Sequence, residues 1–215
     1  MYHYDRRGRG DSGDTAPYSV DREIEDLDGL IREAGGSALV FGMSSGAVLA
    51  LDAASRIAAI TKLALYEPPL MIDDTRPPIP DGYTERLNEL LASGRRGDAL
   101  ELFMTEAVGV SAETVAPMRE SPFWPALEAS AHTLPYDNTI MEGLVSGAPL
   151  PADRWATVTV PTLVIDGGAS PEWARNAVAA LVDALPDGRR ETLEGQTHQY
   201  DPELLAPVVR EFLAD

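Results

Sequence analysis

The sequence predicts an α/β fold, a parallel sheet with helices on both faces, and three observations predict it. Runs at 37–41, 60–66 and 157–166, rich in apolar residues, and the short stretch 189–193 read as strands and alternate with helical segments. The first run passes through Gly42-Met43-Ser44-Ser45-Gly46 straight into the apolar stretch Ala47-Val48-Leu49-Ala50-Leu51. The block from about 70 to 150 shows no strand pattern and reads as a helical insertion between two strands.

Taken in order, Met1-Tyr2-His3-Tyr4 reads as an aromatic strand, followed by the glycine-punctuated, charged loop Asp5–Gly13. That loop mixes arginines with aspartates, so it fits internal ion pairs and Asp–backbone hydrogen bonds better than a nucleic-acid patch. Ser19 suits an N-cap, and Val20, Ile24, Leu27, Ile31 and Ala34 follow at helical spacing until Gly35-Gly36. The helix after Gly46 is apolar nearly all round through Ala54, which predicts burial. Within the insertion, Leu87, Leu90 and Leu91 mark one short helix and Ala99, Leu102 and Phe103 another; Pro117, Pro122, Pro125 and Pro135 punctuate the rest. Pro171 opens a helix through Leu185, and Pro202 to Leu213 makes a last amphipathic one. The expected organisation is a core of 1–69 with 151–215 and a helical lid at 70–150.

The chain has 215 residues and a net charge of -18, from 35 acidic and 17 basic residues. That balance disfavours nucleic acid and anionic membrane surfaces as partners. With no cysteine, thiol catalysis, disulfides and cysteine metal sites are excluded; with only three histidines a histidine-rich metal site is not expected. No stretch approaches the about 20 apolar residues of a membrane span, and Met1-Tyr2-His3-Tyr4-Asp5 does not read as a signal peptide, so a cytoplasmic location is expected. The sequence calls for no cofactor and no metal; the expected partner is a small-molecule substrate, and a homodimer stays open.

The pattern G-x-S-x-G between an apolar strand and an apolar helix has the form of a nucleophile elbow. The two glycines leave room for a sharp, strained turn with the Ser44 Oγ at its tip, and the Ser45 N–H opens the helix where an oxyanion would develop. A chance match in a Gly/Ser-rich turn is the competing explanation. A serine needs a base, and His198, in the loop between the last strand and the last helix, is the candidate. In a parallel sheet the strand ends gather at one edge, so Ser44 and His198 can meet there. His3 and His132 are placed in a strand and in the insertion and are not favoured. Phe123, Trp124 and Tyr136 in the insertion, with Met43 beside the nucleophile, suit an apolar substrate pocket, although packing within the insertion explains the aromatic residues equally well.

The ordered set G-M-S-S-G, L-Y-E-P-P, V-P-T-L-V-I-D-G-G and G-Q-T-H, with D-R-R-G-R-G-D-S near the start, resembles the α/β-hydrolase superfamily over nearly the whole chain. The resemblance implies Ser44 as nucleophile, His198 as base, the Ser45 N–H as an oxyanion donor, and a lid in the helical block. It places the triad acid at a position matched here by Ser170, before Pro171, and serine carries no charge. Asp166, four residues earlier, and Glu67, after the strand that follows the nucleophile helix, are equal candidates. It also implies three strands ahead of the D-R-R-G-R-G-D-S loop, one of them carrying a second oxyanion N–H. On that basis the chain is expected to be N-terminally truncated by about 40 to 60 residues of sheet; otherwise strand 1–4 would pair directly with strand 37–41. Cleavage of an ester, lactone or similar small acyl substrate through an acyl-enzyme is the implied activity. Within the same fold, C–C hydrolysis and cofactor-free peroxidase activity stay open, and a non-catalytic, truncated remnant is the alternative from another class.

Overall fold

The computed structural model describes every residue except Ala152 and Asp215. Its elements run α1 (Val20–Glu33), β1 (Ala38–Met43), α2 (Ser45–Ala54) and β2 (Ile60–Tyr66), then α3 (Tyr83–Ala92) and α4 (Arg96–Leu102). A π-helical stretch (Phe103–Val108), α5 (Ala112–Met118), α6 (Trp124–Ser130), a 3-10 turn (Ala131–Thr133) and α7 (Leu134–Ile140) follow. The chain closes with β3 (Thr162–Gly167), α8 (Glu172–Ala184), β4 (Gly188–Leu193) and α9 (Pro202–Ala214).

The four strands form one parallel sheet in the order β1-β2-β3-β4. All six residues of β3 are buried, and the last four of β2 are, as central parallel strands require when both faces are covered. On one face, Ala64, Tyr66, Leu163, Ile165 and Leu193 pack against Leu205 and Phe212 of α9. The alternate residues Leu63, Leu65 and Val164 are buried toward the other face, where α2 packs on β1 and β2 and α8 on β3 and β4. The outer strands are more open, and β4 leaves Arg189, Arg190 and Glu191 exposed. In β1, Leu39 and Phe41 stay exposed, while Met43 on the same face packs against the cluster that includes α9.

Three expectations change. Met1–Tyr4 is not a strand and pairs with no strand of the sheet, and Tyr2 is exposed; a stretch outside a sheet gains little from extension. The strand expected from Thr157 begins only at Thr162, after turns in which the Val158 N–H bonds the Trp155 carbonyl. Pro161 has no N–H to give the ladder, so pairing starts beyond it. The compact units also divide differently from 1–69 with 151–215 against 70–150. Residues Met1–Val20 cluster with Ile79–Thr139, and Asp21–Pro78 cluster with Ile140–Asp215.

The first of these, the helical unit, has its core at Tyr83, Leu87, Ala99, Ala131 and Leu134. Its N-terminal loop is pinned to α7: Arg6 and Arg9 pair with Asp137 at 3.1 and 2.8 Å, and Tyr18 stacks on Tyr136 with ring centroids 4.0 Å apart. Arg6 and Arg9 thus reach outside the loop, while Asp5 caps it by accepting from the Asp11 N–H at 3.1 Å. In the second, the sheet unit, Arg154 and Trp155 are tied to α2 through Asp52, which accepts from Arg154 at 3.0 Å and from the Trp155 indole at 2.8 Å. No helix among the described residues is long and apolar enough to cross a membrane.

Candidate active site

Ser44 stands between β1 and α2 with φ 56° and ψ −131°, a conformation that non-glycine residues rarely hold. Its N–H donates to the Tyr66 carbonyl at 2.9 Å, which continues the β1–β2 ladder one residue past the strand. Gly42 makes the turn feasible: a Cβ there would lie 2.5 Å from the Gly46 carbonyl oxygen and 2.8 Å from the Ala47 Cα. Gly46 is different from the expectation. A Cβ at Gly46 would meet nothing within 4 Å, so only the first glycine is demanded by close approach. Ser44 caps α2 without a side-chain bond, and its Oγ has no hydrogen-bond partner among the described residues. Ser45 is the first residue of α2, at the positive end of the helix dipole.

The same backbone contact leads to the first of the two candidate acids. Glu67 follows Tyr66, so its peptide adjoins the carbonyl that Ser44 binds. Glu67 also holds a positive φ, 42°, and among the described residues Ser44 and Glu67 are the non-glycine positions that do. Such strain, of order 1–3 kcal/mol per residue, concentrates at functional sites. The Glu67 carboxylate is 3% exposed. Its Oε1 accepts from the Gly167 N–H at 2.8 Å and from the Ser170 hydroxyl, and its Oε2 meets His198 Nδ1 at 2.9 Å. Burial pushes this carboxyl up, but the bonds from His198, Ser170 and Gly167 outweigh it and hold the group below its ordinary range. An ionised carboxylate only accepts, so neutral His198 carries its proton on Nδ1 and presents the Nε2 lone pair. The hydrogen bond from Ser44 Oγ to His198 is not formed here; such bonds commonly tighten only with substrate in place.

Asp166 is the other carboxylate, and the structure puts it elsewhere. Its fully buried carboxylate accepts from Arg190 Nε at 3.1 Å, Arg190 Nη2 at 2.7 Å and Thr192 Oγ1 at 2.9 Å. Asp166 pairs with Thr192 in the β3–β4 register, so it faces β4 rather than His198. Of the two acids open in the sequence, only Glu67 reaches the imidazole. Ser170, the uncharged residue at the position the resemblance assigns to the acid, is a donor to Glu67. Ser170, Gly167 and the role of Tyr66 were not legible as a set; Ser170 before Pro171 was the visible signal.

The four pocket candidates fall in two units. Met43 ends β1 in the sheet unit and packs on the α9 face. Trp124 is buried with Leu100 and Val115 in the helical unit and donates to Glu128 at 2.8 Å. Tyr136 donates to Asp14 at 2.7 Å, and Phe123 is exposed. His132 lies in the helical unit against the Ala129 carbonyl, and His3 is exposed. A hollow of about 310 Å³ lined by Ile24, Asp28, Arg56 and Ile57 sits before β2, at the strand end opposite Glu67. Among the described residues no group of three His, Asp or Glu side chains is placed to hold a metal ion.

Residues 1–208 match the model of the alpha/beta hydrolase family. The chain belongs to this family. This alpha/beta hydrolase is similar to a crystal structure of an alpha/beta hydrolase from Sphaerobacter thermophilus DSM 20745, at 56% identity and a TM-score of 0.90, over 98% of this chain and 80% of that one. It is also similar to MGS-M2, an alpha/beta hydrolase enzyme from a Medee basin deep-sea metagenome library, at 17% identity and a TM-score of 0.68, over 99% of this chain and 78% of that one. The second likeness is one of fold alone. Among curated protein sequences no relative matches.

Proposed function

We propose that this alpha/beta hydrolase is a serine hydrolase that cleaves an ester, lactone or similar small acyl substrate through an acyl-enzyme. The observation that carries the proposal is the Glu67–His198 pair at 2.9 Å, held at the strand end whose carbonyl binds the Ser44 N–H. Ser44 Oγ attacks the acyl carbon while His198 Nε2 takes its proton. The new oxyanion gathers at the N-terminus of α2, where the Ser45 N–H donates; one such donor is worth about 10²–10³ in rate. His198 returns the proton to the leaving alkoxide, and the acyl group stays on Ser44. A water then gives its proton to Nε2, attacks the acyl carbon and releases the carboxylic acid, restoring Ser44. Glu67 stays ionised throughout. It keeps the imidazole in the tautomer with a free Nε2 and stabilises the imidazolium.

A fluorophosphonate probe tests this, because an activated serine displaces its fluoride and becomes phosphonylated. Stoichiometric labelling at Ser44 is expected, absent in Ser44→Ala and slowed at least about 10³-fold in His198→Ala. A folded protein that stays unlabelled would overturn the hydrolase proposal in favour of a non-catalytic member.

A further inference from the structure

The His198 loop lacks the support that the rest of the sheet edge enjoys. Among the described residues, Thr197 to Tyr200 make no backbone–backbone hydrogen bond, and the His198 side chain is 46% exposed. A half-exposed imidazole on such a stretch would swing freely unless side chains hold it. Two consecutive residues at the end of β2 meet two consecutive residues of the loop. The Tyr66 hydroxyl donates to the Thr197 carbonyl at 2.6 Å, and the Glu67 carboxylate accepts from His198 Nδ1 at 2.9 Å.

We propose that Tyr66 is a positioning residue for His198, one half of a two-point clasp whose other half is Glu67. The proposal rests on the hydrolase role assigned to His198 above. Tyr66 suits the task because its own place is fixed. The side chain is fully buried, packed among Leu163, Ile165 and Leu193, with the Tyr200 ring 4.8 Å away at 59°. Burial, with Glu67 and Asp166 nearby, keeps the phenol protonated, so it stays a donor. The loop is also brought close on its other side. The Ala169 N–H donates to the Gln196 carbonyl at 2.9 Å, and a Cβ on Gly167 would lie 2.3 Å from the Gln196 oxygen and 2.8 Å from the Thr197 Cα. The chain therefore rides on Gly167 as far as Thr197, and from there Tyr66 and Glu67 take over.

Tyr66→Phe removes one oxygen and leaves the ring packing intact. The direct readout is the His198 Nδ1–H proton, observable by NMR as a far-downfield resonance that His198→Ala removes. In the wild type it is expected to be sharp and protected from solvent; in Tyr66→Phe its exchange should quicken at least tenfold or the line should vanish. Labelling by the probe should lose about tenfold in maximal rate with half-saturation unchanged, since the substrate-binding groups are untouched. Thr192→Val is the control. It deletes a hydrogen bond of ordinary length in the same unit, to Asp166 at 2.9 Å, and should leave both the resonance and the labelling rate alone. A Tyr66→Phe protein with wild-type exchange and labelling would overturn the clasp, and so would equal losses in Thr192→Val, which would mean general loosening. If the wild type is never labelled, the hydrolase proposal fails while the resonance still decides whether Tyr66 holds the ring.

Discussion

The ends of β2 and β3 each carry a buried carboxylate, and their surroundings differ in kind. Asp166 lies within β3, its side chain direction set by the ladder, and an arginine fork and a threonine on β4 satisfy both its oxygens. Glu67 lies one residue beyond β2, at a strained φ of 42°, and two neutral donors satisfy one oxygen while a titratable ring takes the other. A carboxylate inside a ladder is aimed at the neighbouring strand and ends as a structural ion pair. A carboxylate just past the ladder is free of that register and can reach a loop. The difference follows from whether the strand stops before or after the carboxylate.

Neutralising each acid breaks the comparison most sharply. In Glu67→Gln the amide nitrogen can turn its N–H toward His198 Nδ1, which moves the ring proton to Nε2 and removes the free lone pair. Probe labelling is expected to fall by about 10²–10⁴-fold with the fold retained. In Asp166→Asn the Arg190 guanidinium loses its counter-charge beside a fully buried amide. Unfolding by urea should then show a loss of about 1–3 kcal/mol, tempered because Arg190 is 37% exposed, with labelling unchanged. Equal activity losses in both variants would erase the distinction between the two strand ends.

The parts of this arrangement that were readable from the chain are those written in local pattern. Strand 60–66, the Ser44 turn and the place of His198 each follow from an apolar run with its punctuation, and all appear where expected. The choice between Asp166 and Glu67 was not local. It depends on the β3–β4 register, which sets Arg190 and Thr192 two residues apart on one side of β4, facing Asp166. That i, i+2 spacing was present in the sequence, but nothing fixed which strand it would lie beside. Met1–Tyr4 misled in the opposite way: the residues favour strands, yet the segment belongs with helices whose Asp137 lies more than a hundred positions away and binds Arg6 and Arg9. Tyr66 was readable only as a core aromatic, because a hydroxyl bonding to a backbone carbonyl leaves no trace in the sequence around it.

The comparison also has a pH signature. The hydrogen bonds to Glu67 hold its folded-state carboxyl below the ordinary value of 4.5. A depressed acid contributes stability that is fully present above its unfolded value and is lost as pH falls through the folded one. Wild-type protein should therefore exceed Glu67→Gln in stability most at pH above about 4.5, and the gap should close on further acidification. Denaturant titrations of both proteins between pH 7 and pH 3 would measure it. A gap that stays constant across that range would show that Glu67 is not favoured as a carboxylate in the folded chain.

The finest test separates the two oxygens of Glu67. Ser170→Ala removes the hydroxyl from Oε1 and leaves the Gly167 N–H at 2.8 Å and His198 at 2.9 Å in place. The carboxylate then keeps one of the two donors that set its plane, so the imidazole is still oriented but less tightly. Labelling should slow by about three- to tenfold, well short of Glu67→Gln, because the carboxylate keeps its charge and its bonds to the Gly167 N–H and His198, and only part of the about 1.5–3 kcal/mol of a hydrogen bond to a charged group is felt at the imidazole. A loss as large as that of Glu67→Gln would mean that Ser170 itself meets the reacting groups. No loss at all would mean that the backbone N–H alone holds the acid, and that the serine in the family's acid position is a spacer whose hydroxyl is incidental.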